Sequence, residues 1–155
     1  MTDPETDRIE RKILLSAPRA RVWRAISEAK EFGQWFGVRL EGDFHAGTTI
    51  VGRVTYPGYE HLELAMQVVE LVPERYLSYR WHPHAIDATK NYSEEPTTLV
   101  ELTLDEAPGG NGTLLTIVES GFARLPPERR AEAFRSNGDG WQKQLANIER
   151  YVQSS

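Results

Sequence analysis

PPERRAEAFRSNGDGWQKQLANIERYV, residues 126–152, is the stretch from which the rest of the chain is best read. Phe134, Trp141, Leu145, Ile148 and Val152 recur there at gaps of seven, four, three and four, the spacing of one helix face. Arg129, Arg130, Glu132, Gln142, Lys143, Glu149 and Arg150 mostly take the other directions, as solvent-facing positions do. Pro126 and Pro127 fit only at or before the first turn, where a missing N–H costs little. Glu128 suits the positive end of the helix dipole. At about 1.5 Å per residue the helix runs roughly 40 Å, enough to cross a small domain. It needs a surface to lie on, and the upstream sequence reads as a sheet.

Residues 1–7 are expected to form a disordered tail. Arg8–Leu15 alternates as a strand, with Ile9, Ile13 and Leu15 on one side and Glu10 and Lys12 on the other. Ser16 is placed as a helix cap. The spacing predicts a short helix over 17–26, presenting Val22, Trp23 and Ile26, and a second over 29–35 that ends at Gly37. From Val38 the period falls to two. Short strands are expected at 38–40, 48–56, 62–72, 75–82, 97–105 and 113–119, with a bulge near Val69–Leu71. Pro57-Gly58, Pro73-Glu74 and the run from Ala107 to Gly112 read as turns, and 83–96 as the longest loop. Consecutive strands joined by short turns are antiparallel. The expected architecture is α+β: a curved antiparallel sheet of about six or seven strands wrapped round the long C-terminal helix, with two short helices after the first strand. A twisted sheet gripping a helix leaves a gap that can become a pocket.

The 155 residues suit one domain, 1–155. With 39% hydrophobic and 26% charged residues, the composition is that of a folded soluble protein rather than a disordered one. A net charge of -5 argues against nucleic-acid binding. No apolar run approaches the ~18 residues of a membrane span, and the acidic start is unlike a signal peptide. The chain has no cysteine, which removes disulfides and thiolate chemistry. A cytoplasmic location is expected.

Four stretches, in order, carry a resemblance: SAPRARVWRAI (16–26), the Trp35-Phe36 pair, VELVPERYL (69–77) and ESGF (119–122). Gly140-Trp141 followed by Leu145 and Tyr151 agrees with the same pattern. The chain resembles the START-like (SRPBCC, helix-grip) superfamily, in the group of the activator of Hsp90 ATPase homologue 1-like C-terminal domain. The resemblance spans about Ile9 to Val152 and implies an internal hydrophobic cavity of the kind that binds lipids, sterols, polyketides or hormones. It also implies two other roles, a cyclase- or hydrolase-type enzyme and an Hsp90 co-chaperone-like module. Binding of a small hydrophobic or aromatic molecule ranks first, catalysis in the same cavity second. The chaperone reading is weakened because the eukaryotic activators carry a further N-terminal domain for which this length leaves no room. Exposed edge strands allow a homodimer.

The residues placed at the cavity are Trp35, Phe36, Tyr56, Tyr79, Trp81, Glu119, Phe122, Phe134, Gly138, Trp141 and Leu145. The competing reading, that the aromatics fill a solid core, stays open. Gly138 and Gly140, each costing up to ~1 kcal/mol in a helix, indicate close packing, a kink or a break. Glu119 can anchor a ligand hydroxyl, act as acid or base, or tie strand to loop. Ser120 lacks a nucleophile elbow. His82 and His84 have only Asp87 as a nearby third ligand, so no metal site is assigned, and no cofactor is expected. The glycines near 109–112 belong to a hairpin, not a phosphate cradle.

Overall fold

The computed structural model describes residues 7–85, 90–110 and 112–153. Its elements are β1 (Arg8–Leu15), α1 (Arg19–Ser27), α2 (Ala29–Phe36), β2 (Val38–Glu41), β3 (Thr49–Val54), β4 (Glu63–Val72), β5 (Tyr76–Trp81), β6 (Thr98–Glu106), β7 (Thr113–Ser120), a 3-10 turn (Phe122–Arg124) and α3 (Pro127–Gln153). All seven strands form one antiparallel sheet in the order β1-β7-β6-β5-β4-β3-β2. Every neighbour is a chain neighbour except β1, which pairs with β7. The sheet curves round α3. The expected bulge is present as a register shift between Val68 and Glu70.

Alternation explains what each strand buries. Val100, Leu102 and Leu104 of β6 and Leu115 and Ile117 of β7 face inward, at 1% exposure or less. From β5, Leu77, Tyr79 and Trp81 join them. The face of α3 that meets them carries Ala133, Gly138, Trp141, Leu145, Ile148 and Val152. The helix starts as its prolines require: the N–H groups of Arg129 and Arg130 bond to the Pro126 carbonyl at 2.9 and 3.1 Å.

Two local expectations are corrected. Ser16 is not the cap of α1; Pro18 holds that position in extended geometry, with no side-chain cap bond. The Pro18 carbonyl instead accepts from Arg21 and Val22. Asp7 is not part of a free tail, since its carboxylate accepts from the Ala123 N–H at 3.0 Å; residues 1–6 lie outside the described residues. The long helix expected from the sequence runs through Gly138-Asp139-Gly140 unbroken, because burying its apolar face outweighs the glycine penalty. At the end of α2, Gly37 adopts φ 91° and returns its N–H to the Gly33 carbonyl, a left-handed cap that glycine takes without strain.

Phe32 is fully buried and packs edge-on against Trp35 and Phe44 at 4.9 and 5.6 Å. These rings form a tight cluster, and Phe36 stacks on Phe32 at 4.8 Å. The open part of the gap between α3 and the sheet lies where α2 ends against α3.

Candidate functional site

The inward row of β7 reads Thr113, Leu115, Ile117, Glu119. Alternation thus points a carboxylate at the same face as two core aliphatics, and Glu119 is 0% exposed. Four donors from three elements meet it. Trp81, the last residue of β5, donates its indole N–H to Oε2 at 2.8 Å, and Thr98, its cross-strand partner on β6, donates to the same oxygen at 2.5 Å. Trp141 of α3 donates to Oε1 at 2.8 Å. Asn137, one helical turn earlier on the same face, places its amide nitrogen 2.9 and 3.0 Å from the two oxygens. A carboxylate only accepts, and here both oxygens are engaged by neutral donors.

The same residues build a pocket. Trp81 and Trp141 stack at 5.8 Å with 27° between their planes. Phe36, from the last turn of α2, leans on both at 5.9 and 6.1 Å. Gln144 fixes that turn by donating to the Phe36 carbonyl at 2.9 Å. These rings line one side of an open pocket of ≈ 230 Å³, to which α3 adds Ser136, Asn137, Gly140 and Gln144 and the segment after β5 adds His84. Both indole N–H groups are engaged by Glu119, so neither tryptophan has a polar hydrogen left for a ligand.

The His84 segment is held from α3. Arg129 donates to the carbonyls of His84 and Pro83 at 3.0 and 3.1 Å and pairs with Glu95 at 2.8 Å. Its guanidinium also lies over the Tyr92 ring at 4.8 Å. His84 itself has φ 50° and lies 3.5 Å from Glu132.

Of the sequence candidates, Phe36, Trp81 and Trp141 line this pocket, and Glu119 sits behind them. Tyr79 precedes Trp81 in the inward row of β5, edge-on to it at 5.3 Å. Its hydroxyl is buried without a partner among the described residues. Burial first, and the Glu119 charge second, push the phenol well above its ordinary range. The others lie elsewhere. Trp35 is buried with its N–H on the Ala25 carbonyl at 2.8 Å, and Tyr56, 55% exposed, borders a separate surface groove with it. Phe122 and Phe134 pack edge-on at 5.4 Å beside the 3-10 turn. Leu145 is core. Gly138 faces β1: a Cβ there would meet Arg11 Nη2 at 3.1 Å.

Sequence reading did not single out Thr98, Asn137, Ser136 or Gln144. Asn137 left one usable signal, a polar residue four positions before Trp141 on the buried stripe. His82 bonds to the Glu95 carbonyl at 3.1 Å, and Asp87 lies outside the described residues. Among the described residues no three His, Cys, Asp or Glu side chains converge, and no helix is long and apolar enough to cross a membrane.

A seven-stranded antiparallel sheet curved round a C-terminal helix, with two short helices after its first strand, defines a START-like, helix-grip protein. Within that class the chain belongs to the family described as Activator of Hsp90 ATPase homolog 1-like protein, which matches residues 16–153. No curated protein matches the chain. Among solved structures it is similar to NE0264 from Nitrosomonas europaea, at 18% identity and TM-score 0.75 over 99% of this chain and 97% of that one. The Aha1 dimer from Colwellia psychrerythraea is similar at 15% identity and TM-score 0.70, over 94% and 95%. DynU16, from the dynemicin biosynthetic locus, is similar at 23% identity and TM-score 0.71 over 95% of this chain, which spans 47% of that longer one. At these identities the likeness is one of fold.

Proposed function

We propose that this protein binds a small molecule built on about one aromatic ring in the pocket between α3 and the sheet. The observation that carries the reading is the wall of Phe36, Trp81 and Trp141, whose two indole N–H groups are tied to Glu119. The tie leaves ring surface for the ligand and fixes its orientation before binding. Size supports it as well. The pocket holds ≈ 230 Å³, below the ~300 Å³ at which drug-sized sites begin and above the ~150 Å³ cavity that admits benzene. Glu119 acts here as a positioning residue. Its oxygens are already engaged, and three of its four partners separate it from the pocket.

Native mass spectrometry with extraction of co-purified molecules tests the reading, alongside tryptophan fluorescence titration. A one-ring compound is expected to bind and to perturb Trp81 and Trp141 emission. A Cβ at Gly140 would have open space around it, so Gly140→Leu is expected to fill the pocket and abolish binding without unfolding the protein. A ligand-free preparation, with no thermal shift across a library of one-ring aromatic compounds, would overturn the proposal.

A further inference from the structure

Deepening that reading of the same pocket, we propose that its occupant is a cation, a protonated amine carrying one aromatic ring. Four observations share one electrical sign. First, Glu119 is fully buried, and among the described residues no lysine, arginine or histidine forms an ion pair with it. Its five hydrogen bonds come from neutral groups, so its oxygens are satisfied while its charge is not balanced. Buried charges are ordinarily paired. Second, Trp81, Asn137 and Trp141 both touch the carboxylate and line the pocket, placing that charge one side chain behind the wall. Third, three aromatic rings line the pocket, and an aromatic ring attracts an ammonium group through its face. Fourth, Asn137 must turn its amide nitrogen toward the carboxylate, which fixes its Oδ1 on the opposite side. No donor among the described residues reaches that oxygen, which leaves it as an acceptor for a ligand N–H.

The basic side chains around the site are engaged elsewhere. Arg129 is held by Glu95 and by the carbonyls of Pro83 and His84. Arg11 lies on the β1 side of α3, against Gly138, and donates to the Glu10 carbonyl. His84, the one basic side chain among the described residues that line the pocket, is directed at Glu132. None supplies the charge that Glu119 lacks. An aromatic ammonium would bring the missing charge, a donor for Asn137, and a ring of the size the pocket takes.

The test is a charge series on one ring: benzylammonium, benzyl alcohol and benzoate, titrated into the wild-type protein at neutral pH and followed by tryptophan fluorescence. Benzylammonium is expected to bind about tenfold tighter than the alcohol, within the range of a desolvated cation–π contact, with benzoate weakest. If the alcohol or benzoate binds as tightly as the ammonium, the cation assignment falls and the one-ring pocket stands. If none of the three binds, both fall. In Glu119→Gln, checked for folding by circular dichroism, the ammonium preference is expected to shrink to about twofold, since the charge is gone and the rings remain. A folded variant that keeps the full preference would overturn the inference. The wild-type series decides the point even where that variant does not fold.

Discussion

Removing any donor from Glu119 strips a hydrogen bond from a buried charge, and such bonds contribute about 1.5–3 kcal/mol each. Trp141→Phe keeps most of the ring and deletes the N–H on Oε1. It is expected to lower the unfolding free energy by about 2 kcal/mol, measured by urea titration; a change within experimental scatter would mean the indole bond is immaterial. A second expectation concerns tyrosine. Burial first, then the hydrogen bond to Glu101 at 2.6 Å, push Tyr76 from 10.0 up to about 12. The unfolded chain therefore releases this proton before the folded one does. The stability Tyr76 contributes is complete below pH 10 and is lost as pH rises toward 12. Tyr79 acts in the same direction. Urea midpoints are expected to fall across that window, and Tyr76→Phe to reduce the fall. At this scale the sequence was half legible. The inward direction of Glu119 follows from strand alternation, but its partners come from β5, β6 and α3, and only strand register brings Trp81 and Thr98 together.

At the scale of elements, α3 shows what periodicity resolves and what it leaves open. Its span and buried face follow from the spacing of Trp141, Leu145, Ile148 and Val152, and its beginning from Pro126-Pro127. The meaning of the two glycines does not, because it depends on what lies opposite. Gly138 faces Arg11 and Ile9, whereas nothing lies within 4 Å of a Cβ at Gly140. Gly140→Ala is accordingly expected to raise stability by about 1 kcal/mol, the ordinary helix preference for alanine. Gly138→Ala is expected to raise it less, because Arg11 must shift away from the new methyl group. Thermal denaturation of the two variants compares them directly, and equal gains would mean that the Arg11 contact costs nothing. Ser16 illustrates the opposite failure. A capping residue type two positions before a proline does not cap when the proline itself occupies the N-cap.

For the whole molecule, the curved sheet and gripped helix were legible from element order alone, while the size of the gap was not. Whether aromatics fill a core or wall a cavity depends on side-chain directions, and the protein does both. Phe32, Trp35 and Phe44 pack into a tight cluster, and Phe36, Trp81 and Trp141 wall the pocket. The sheet order adds a kinetic expectation. Strands β2 to β7 pair in chain order, so their contacts close short loops, whereas β1 must find β7. Ile9→Val, on β1 and opposite Glu119, is expected to speed unfolding and leave the refolding rate nearly unchanged, as for contacts made after the transition state. A chevron plot in which the folding arm drops instead would place β1 in the nucleus.

That pairing also sets an order in time. The Thr113 hydroxyl reaches the Ala17 carbonyl across 96 residues, and the Ala123 N–H reaches Asp7 across 116. On a ribosome β1 emerges long before its sheet partner β7 exists, and its apolar side, with Ile9, Ile13 and Leu15, must wait uncovered while six more strands and then α3 are made. The hazard for this protein during synthesis therefore lies at its earliest strand, and it ends only when the last helix arrives.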